Sequence, residues 1–444
     1  MRVTLKIGGL VVYGQGGKAR VELLEKILAR DNLNEAYKRV YANKGASGVD
    51  GVTVEQLLSY LKERKVELLE SIRKREYKPQ PVRRVEIPKE NGKKRQLGIP
   101  TVVDRVIQQA VMQVLSPIYE EQFSNSSYGF RMGRSCEMAI VKSLELINDG
   151  YDWIVDIDLE RFFDTVHHDR LMNIISRTIK DGDVISLIRK FLVSGVMVGG
   201  KYEDTEIGTP QGGNLSPLLA NIMLNELDKE LEARGLNFIR YADDCNIYVK
   251  SEKAAERVMK SVTGFIERKL GLIVNAEKSK VGRPKDIKFL GFGYFQGKDG
   301  KYQAKPHLKS ILKLKRKLKE MCKRSWSISL DTRLEKLRQL IVGWVNYFRI
   351  AKMKRVLSEL DAKLRKRIRI VIWKQWKKTR TRYDALRKLG ANHKNAFNTA
   401  NCRKGYQYVC GTATIHSAIS NERLKKRGLT SLLDHYNKVH LVTN

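Results

Sequence analysis

Residues 238–249 consist of two apolar, strand-forming halves joined by a short acidic turn. The halves, 238–241 and 246–249, are rich in residues that favour strands, and Asp243 and Asp244 lie between them. This pattern predicts an antiparallel hairpin with both carboxylates at its tip. Adjacent aspartates are common in surface turns, so the pair alone does not establish a function.

A second acidic position follows another apolar segment. Residues 153–159 (Trp-Ile-Val-Asp-Ile-Asp-Leu) predict a strand with Asp158 near its end. Asp156 falls on the same strand face as Asp158. Carboxylates from two strand segments can hold a pair of hard divalent cations about 3.5–4 Å apart, which activates an attacking hydroxyl and neutralises a leaving pyrophosphate. The combination therefore indicates nucleotidyl transfer.

Helical and strand patterns alternate through the first 305 residues. Asn91-Gly92 and Asp299-Gly300 are turn signals between candidate strands, and they predict two further hairpins, 82–88 with 95–99 and 290–296 with 301–304. Helical periodicity occurs at residues 21–29, 54–75, 102–118, 138–148, 170–179, 217–234 and 253–270. The pattern is typical of a mixed fold without internal repeats.

Positive charge is concentrated in the C-terminal third. The chain of 444 residues has 85 Lys+Arg against 49 Asp+Glu, and residues 306–444 contribute 35 of the former and only 8 of the latter. An apolar stripe at helical spacing runs through 357, 360, 364, 368 and 371. Basic side chains surround it: Lys363, Arg365, Lys366, Arg367 and Arg369. A solvated face is one interpretation of any single lysine, but the cluster favours a nucleic-acid partner.

The cysteines and the hydropathy pattern indicate the cellular compartment of the protein. Five cysteines are scattered at 136, 245, 322, 402 and 410, which argues against a disulfide framework and for a reducing, cytoplasmic environment. No apolar run approaches the roughly 18 residues that a membrane span needs. The apolar stretch at 5–13 is short and interrupted by glycine, unlike a signal peptide. We expect a soluble cytoplasmic protein without membrane contact.

Several motifs, taken together, resemble the reverse transcriptases (maturases) encoded by group II introns. The matching segments are residues 95–100, 127–135, 158–164, 208–218, 241–244 and 343–348. They occur in the order found in the family, and the last of them is similar to the family's maturase, or thumb, domain. A lone Tyr-x-Asp-Asp sequence is common, whereas this ordered series is highly specific.

The resemblance implies an α+β right-hand polymerase. Fingers and palm with an antiparallel sheet would be followed by a basic α-helical thumb, or maturase, domain, and the change of composition near Pro306 marks the boundary. The expected divisions are an N-terminal extension at 1–50, fingers and palm at 51–305, the thumb at 306–382 and a basic DNA-binding segment at 383–444. The extension could equally be a helix and a capping loop without RNA contact.

Carried over by position, the resemblance assigns the catalytic acids. Asp158 and Asp243 would be the principal metal ligands, with Asp244 in support, and the backbone carbonyl of Leu159 would complete one of two Mg²⁺ sites. Asp156 is not required by the family motif and is expected to be a structural or auxiliary acid.

Further positions would contact the incoming deoxynucleotide. Lys89 and Arg95 flank the turn of a hairpin that the family folds over the triphosphate, and Arg83 could join them. Gln211 and Gly212 would contact base pair and template, because glycine allows close backbone approach.

Two more candidates have explicit alternatives. Phe163 would exclude a ribose 2′-hydroxyl by steric clash; alternatively, it fills the core beside Phe162. Lys278 would approach the triphosphate or leaving group; alternatively, it is a solvated surface lysine.

The implied function is RNA-directed DNA synthesis on a primed RNA template, with binding of intron RNA to assist splicing and mobility at a DNA target. RNA binding would be led by shape and phosphate contacts. Cys402 and Cys410 lack the spacing of zinc ligands, so neither zinc nor a nuclease domain is expected. Two rivals remain: a non-catalytic RNA-folding cofactor with a vestigial polymerase site, and a retron-like or defence-associated reverse transcriptase. The oligomeric state is left open.

Overall fold

The chain forms two compact units in a computed structural model. The structure describes residues 3–7, 10–14, 23–88, 92, 94–205, 207–208 and 212–440. The first unit contains residues 1–139 and 151–282, and the second contains 140–150 and 283–444. Within the described ranges, no helix is both long and apolar enough to cross a membrane.

The first unit combines helices with two four-stranded sheets and an N-terminal hairpin. In chain order its elements are β1 (Val3–Ile7), β2 (Leu10–Gly14), α1 (Leu23–Leu28), α2 (Arg30–Asn43), α3 (Leu57–Arg73), β3 (Val82–Pro88), β4 (Lys94–Ile99), α4 (Val102–Glu120), α5 (Cys136–Asn148, continuing into the second unit), β5 (Trp153–Ile157), α6 (Phe162–Thr165), α7 (His168–Thr178), α8 (Gly182–Leu192), β6 (Val196–Val198), β7 (Lys201–Glu203), α9 (Ser216–Ala233), β8 (Asn237–Tyr241), β9 (Asp244–Val249), α10 (Glu252–Phe265), a π-helical turn (Ile266–Leu270) and β10 (Lys280–Gly282).

The second unit is mainly helical. Its elements are a short 3-10 turn (Pro284–Asp286), β11 (Phe292–Gln296), β12 (Tyr302–Pro306), α11 (Leu308–Met321), α12 (Leu330–Tyr347), α13 (Lys354–Gln375), α14 (Thr379–Lys388), α15 (His393–Ala400), α16 (Tyr406–Val409), α17 (Ala413–Ala418), α18 (Asn421–Lys426) and α19 (Leu432–Val439). Sheets joined to a helical C-terminal region confirm the predicted α+β class.

An antiparallel sheet in the order β10-β5-β9-β8 carries the acidic segments. Asp156 pairs with Asn246, and Ile157 pairs with Cys245. Opposite residues of an antiparallel pair share a face, so Asp156 and Asn246 lie on one face and Ile157 and Cys245 on the other. The predicted hairpin at 238–249 is present as β8 and β9.

The opposite face of this sheet packs on the helices. Val155 and Ile157 of β5 are buried with Cys245 and Ile247 of β9 in the main hydrophobic core. Helices α4, α9 and α10 contribute to the same core. Strict alternation along β5 and β9 therefore separates an apolar, helix-covered face from the face that bears the carboxylates.

The second sheet of this unit has the order β4-β3-β6-β7. Its β3 and β4 form the predicted hairpin, with Ile87 opposite Arg95 and Arg84 opposite Gly98. The short strands β6 and β7 were not predicted from the sequence, because three residues are too few to show an alternating pattern.

The N-terminal helices belong to the core of the first unit. Leu24 and Ile27 of α1 and Ala36 and Val40 of α2 are buried in the same apolar cluster as α4. The side-chain amide of Asn32 donates to the carbonyl of Ala110 (3.1 Å) and so ties α2 to α4. This part of the predicted N-terminal extension thus packs within the first unit.

Aromatic packing groups the β11–β12 hairpin with the helices that follow. Phe292 is fully buried, with its ring 4.7 Å from that of Phe348, and the Tyr347 hydroxyl donates to the Leu290 carbonyl (2.8 Å). The compact units consequently divide after Gly282, whereas the composition of the chain changes near residue 306. The four-part division of the chain stays a prediction.

The longest helix, α13, organises the second unit. The apolar stripe predicted within it is buried at all five positions: Leu357, Leu360, Leu364, Ile368 and Val371. Asp361 lies on the same helix, is 2% exposed, and accepts hydrogen bonds from the Ser431 hydroxyl (2.7 Å) and the backbone N–H groups of Leu432 (2.8 Å) and Leu433 (3.0 Å). One buried carboxylate therefore caps the N-terminus of α19.

Replacing Asp361 by Ala should lower the free energy of unfolding by about 3 kcal/mol, since three donors at the start of α19 lose a charged acceptor. Thermal or denaturant unfolding measures the change. The matched control is Asp384→Ala, because Asp384 forms only an exposed 3.9 Å pair with Arg380; it should change stability by less than about 1 kcal/mol. Equal stability of the two variants would contradict the capping role.

Candidate active site

Asp158 follows the last residue of β5 and is held there by the segment before β10. Its N–H donates to the Ser279 hydroxyl (3.0 Å), and its carbonyl accepts from the N–H of Asn275 (2.8 Å). The carboxylate is ion-paired with the ammonium of Lys278 (2.8 Å). The structure thus brings two predicted site residues, Asp158 and Lys278, into direct contact.

Asp243 lies in the tight turn between β8 and β9. Tyr241 pairs with Asp244, and Ala242 has a left-handed backbone (φ 57°), which is uncommon for a residue with a side chain. Gly129 lies directly against this turn: a Cβ at residue 129 would approach the Ala242 nitrogen to 2.2 Å. Only glycine fits there, so the predicted 127–135 motif supports the acidic turn by close backbone contact.

The electrostatics of Asp243 show which charges surround it. Burial raises the pKa of this carboxyl above its usual range, and the negative charge of Asp158 raises it further. A backbone hydrogen bond and the positive charges of Arg95 and Lys278 act in the opposite direction. Four predicted site residues from four separate chain segments therefore share one electrostatic environment.

Asp156 on β5 and Asp244 on β9 are two further acidic residues of the same sheet. Burial and the charges of Asp244 and Asp158 raise the pKa of Asp156 to about 7, while Lys280, its neighbour on β10, lowers it. The face that bears the catalytic candidates consequently carries a high density of negative charge. Mutual repulsion of this kind is relieved when a cation binds.

The donor groups at the site fit hard divalent cations. Leu159 forms an antiparallel bridge with Val274, flanked by hydrogen bonds from Glu160 and Asn275. In that pattern the carbonyl of Leu159 points away from Val274, toward the edge of β5 that pairs with β9. Carboxylate and carbonyl oxygens are the ligands that Mg²⁺ prefers. Within the described ranges, no three His, Cys, Asp or Glu side chains group closely enough to hold an ion by themselves.

The predicted triphosphate contacts differ in their placement. Arg95 on β4 is exposed, and its charge reaches Asp243. Arg83 makes a different contact: its guanidinium donates twice to the Ser47 carbonyl (3.1 and 2.8 Å), and a nucleotide contact by Arg83 stays a prediction. Residues alternate across a strand, and the sequence did not reveal which face of β3 meets residue 47. Lys89 lies outside the described residues.

Gly212 lies against the strand that carries Arg95. Its backbone has φ 134°, and a Cβ there would meet the Gly98 carbonyl oxygen at 2.4 Å. The requirement for glycine predicted at this position is therefore explained by the approach to Gly98. Its contact with base pair or template stays a prediction, and Gln211 lies outside the described residues.

Phe163 borders a cavity of about 240 Å³ between α6 and the β3–β4 hairpin. Arg84, Gln96 and Arg161 also line this cavity. The preceding Phe162 is 2% exposed and meets the Phe163 ring edge-on at 5.2 Å. Phe162 thus fills the core, whereas Phe163 packs partly on it and partly faces open space. Exclusion of the 2′-hydroxyl by Phe163 stays a prediction.

A buried polar network beneath the acidic turn was missed in the sequence. Arg240 and Asp228 are both fully buried and ion-paired, with Arg240 Nε 2.7 Å from an Asp228 carboxylate oxygen. Arg240 also donates to the Ala242 carbonyl (2.9 Å) and to the side-chain oxygen of Asn221 (3.0 Å). The guanidinium therefore holds the backbone of the turn that presents Asp243. An arginine inside an otherwise apolar strand was the available signal.

Comparison with known protein families identifies two matching domains in this chain. The family described as "Reverse transcriptase (RNA-dependent DNA polymerase)" matches residues 87–294, and "Group II intron, maturase-specific domain" matches residues 311–390. Protein YkfC of Escherichia coli (strain K12) is 36% identical over 310 residues, which cover 61% of this chain and 81% of that protein. The chain belongs to the group II intron-encoded reverse transcriptases. This membership confirms the predicted family, with a reverse transcriptase domain followed by a maturase-specific domain.

Other relatives agree with the family assignment. The group II intron-encoded protein LtrA of Lactococcus lactis subsp. cremoris is 43% identical over 208 residues, or 47% of this chain. The chain spans only 34% of the length of LtrA. A chain of a "Partial Cas6-RT-Cas1--Cas2 complex" has a TM-score of 0.37 and 24% identity, covering 60% of this chain and 48% of its own. Reverse transcriptases require a divalent metal and a nucleic-acid partner, as expected.

The basic residues predicted on the maturase-domain helix α13 fall into two groups. Lys363 is exposed, and Arg365, Lys366 and Arg367 are half-exposed, so nucleic-acid binding by these four stays a prediction. Arg369 is 3% exposed and donates to the Ile419 carbonyl (2.9 Å) and the Asn421 side chain (2.9 Å). Phosphate binding by Arg369 therefore does not fit, because its guanidinium is committed to the C-terminal segment.

Substituting Arg240 by Lys should lower the kcat of this reverse transcriptase at least about tenfold, since Lys keeps the charge but loses the planar fork that reaches both Asp228 and Ala242. Template–primer affinity without nucleotide should stay close to wild type, because the change acts through Asp243. Arg240→Met should lower stability by about 3–5 kcal/mol by leaving Asp228 unpaired. Arg39→Met, at an exposed pair with Glu35, is the control. A full-rate Arg240→Lys enzyme would contradict the positioning role.

Replacing Phe163 by Val should admit ribonucleotides, because the smaller side chain enlarges the cavity beside it. Single-nucleotide extension with matched deoxy- and ribonucleoside triphosphates gives the ratio of kcat/KM values. We expect the preference for deoxynucleotides to fall by at least about tenfold. Phe295→Val, in the β11–β12 hairpin, serves as the control, and unchanged sugar discrimination in the Phe163 variant would refute the assignment.

Proposed function

We propose that this chain extends a DNA primer on an RNA template by two-metal nucleotidyl transfer with Mg²⁺ and deoxynucleoside triphosphates. The observation that carries the proposal is the shared electrostatic environment of Asp158 and Asp243, with Arg95 and Lys278 beside them. Two acids and two cations from distant segments match a reaction in which metal ions and a triphosphate meet. The chain spans a third of LtrA, so its complete activity is part of this proposal.

Asp158, Asp243 and the Leu159 carbonyl would hold the metal ions, with Asp244 in support. Bound Mg²⁺ supplies Lewis-acid activation of the primer hydroxyl and neutralises the pyrophosphate. Arg95 adds positive charge where the triphosphate is expected, and Lys278 compensates the negative charge of Asp158. The Arg240 network keeps the Asp243 backbone in place, and Phe163 restricts the space beside the sugar.

Intron RNA, target DNA and a primed RNA template are the proposed partners. The match to the maturase-specific domain supports intron RNA, and the basic character of residues 306–444 supports phosphate-led contacts. The cytoplasmic location indicated by the scattered cysteines stays a prediction. The two rival functions differ from this proposal in activity or in partner, so both can be tested directly.

Replacing Asp243 by Asn should abolish extension of a DNA primer on an RNA template, lowering kcat by about 10³-fold or more, because the neutral amide binds a divalent cation poorly. Extension products on a gel, with and without Mg²⁺, measure the effect. Template–primer affinity measured without metal should remain near wild type.

The control for this experiment is Asp149→Asn, an exposed aspartate before β5, which should extend at the wild-type rate. Undiminished synthesis by Asp243→Asn would refute the polymerase site. An inactive wild-type protein that still promotes splicing of its intron would favour the non-catalytic RNA-folding cofactor. Active synthesis without intron binding would favour the retron-like or defence-associated alternative.

A further inference from the structure

A cavity of about 540 Å³ lies within the second unit. Its walls come from the end of α11, the turn that follows it, the middle of α13 and the short helix α16. The first three belong to the maturase-specific match at 311–390, whereas α16 belongs to the C-terminal segment. The cavity therefore joins two parts of the chain whose contacts were not assigned from sequence.

The lining of this cationic cavity carries four positive charges: Lys319, Lys323, Arg324 and Arg367. In the described part of the chain, no acidic side chain lines it. Among the residues that the structure describes, none of the four cations has a carboxylate within ion-pair distance. Glu320 faces a separate, adjoining depression beside Trp326. Like charges around one cavity repel each other, and an anion bound between them relieves that repulsion.

The turn that carries two of the cations is held rigidly. Arg333 of α12 is 1% exposed and donates to the carbonyls of Trp326 (2.8 Å), Lys323 (3.2 Å) and Met321. These bonds tie the backbone of the turn inward, so that Lys323 and Arg324 extend from an ordered main chain. A site that is ordered before binding loses less conformational entropy when its ligand arrives.

Aromatic contact orients one of the cations. The Arg324 guanidinium lies 4.9 Å from the centre of the Tyr406 ring, a cation–π contact between the turn and α16. Arginine presents a planar fork that matches phosphate oxygens, and lysine adds a point charge on a flexible stem. Two residues of each type around one cavity are suited to a phosphate group.

We propose that the cationic cavity binds a backbone phosphate of a nucleic-acid strand. This inference rests on the proposed function, since it names a contact point for the strands that such an enzyme handles. A strand fits better than a small anion because the excess of basic residues continues well beyond the cavity across residues 306–444. An extended polyanion can meet that charge along its length, whereas a free phosphate can meet only the cavity.

The test uses the full chain and the variant Lys323→Gln/Arg324→Gln. Its matched control, Lys336→Gln/Lys374→Gln, removes the same charge from exposed positions on α12 and α13 that do not line the cavity. The probes are a labelled DNA-primed RNA template and single-stranded RNA of the same sequence, measured without nucleotide or metal between 50 and 200 mM salt. We expect the cavity variant to bind about tenfold more weakly, with a salt slope smaller by about 1.

A conservative variant distinguishes the effect of losing the positive charge from the effect of losing the packing of the side chain. Arg324→Lys keeps the positive charge and should recover most of the lost affinity when compared with Arg324→Gln. Recovery supports a phosphate contact, while equal loss in both single variants would show that Arg324 acts only by packing on Tyr406 and would overturn the proposal. The probe that loses more affinity identifies whether the primed duplex or the single strand occupies the cavity.

Three further results would overturn the proposal. The first two are wild-type affinity for both probes in the cavity variant, and an equal loss of affinity in the control variant. The third is that inorganic pyrophosphate stabilises the wild type but not the cavity variant, while the two proteins bind the nucleic-acid probes equally well. The last result would identify a small-anion site. Primer extension is measured separately, so an enzyme that fails to extend would refute the proposed polymerase function without altering the comparison of binding.

Discussion

Hydrogen bonds between β5 and β9 pair Asp156 with Asn246 and Ile157 with Cys245, and this register decides which side chains share a face. A shift of one residue would turn the carboxylates into the helix-packed core and expose Ile157. Burial of Val155, Ile157 and Ile247 opposes such a shift. The apolar packing on one side of the sheet thereby keeps the acidic residues on the other.

Acidic residues gathered at one place need compensation, and the chain provides it from several directions. Lys278 neutralises Asp158 directly, Arg95 acts on Asp243, and Lys280 acts on Asp156. Beneath the turn, the buried Arg240–Asp228 pair adds no net charge and holds the backbone. Exposed cations can exchange their partners for a substrate, whereas a buried, fully bonded pair cannot do so without large cost. The exposed basic residues and the buried Arg240 therefore have different roles around the same site.

The same distinction separates basic residues that are engaged within the fold from those that remain exposed. Arg83 and Arg369 occur among other basic residues in the sequence, yet each donates to a backbone carbonyl, of Ser47 and Ile419 respectively. Charge density along the chain shows the need for a polyanionic partner but not which guanidinium is available to it. Availability depends on packing between segments that are 36 and 50 residues apart.

Local pattern was sufficient for the helices at 54–75, 102–118 and 217–234, for the hairpins, and for the apolar stripe of α13, because each depends on periodicity within one segment. The short strands β6 and β7 and the division after Gly282 depend on pairing and aromatic packing between segments, which periodicity does not describe.

By itself, the sequence determined the family, the α+β class and the residue types at the site, because the motifs are contiguous and ordered along the chain. Only the tertiary structure decided that Lys278 pairs with Asp158, that Arg240 supports the turn of Asp243, and that four basic side chains surround one cavity. These are facts about distances between residues remote in sequence. Such distances are set by how the core packs, which no local pattern contains.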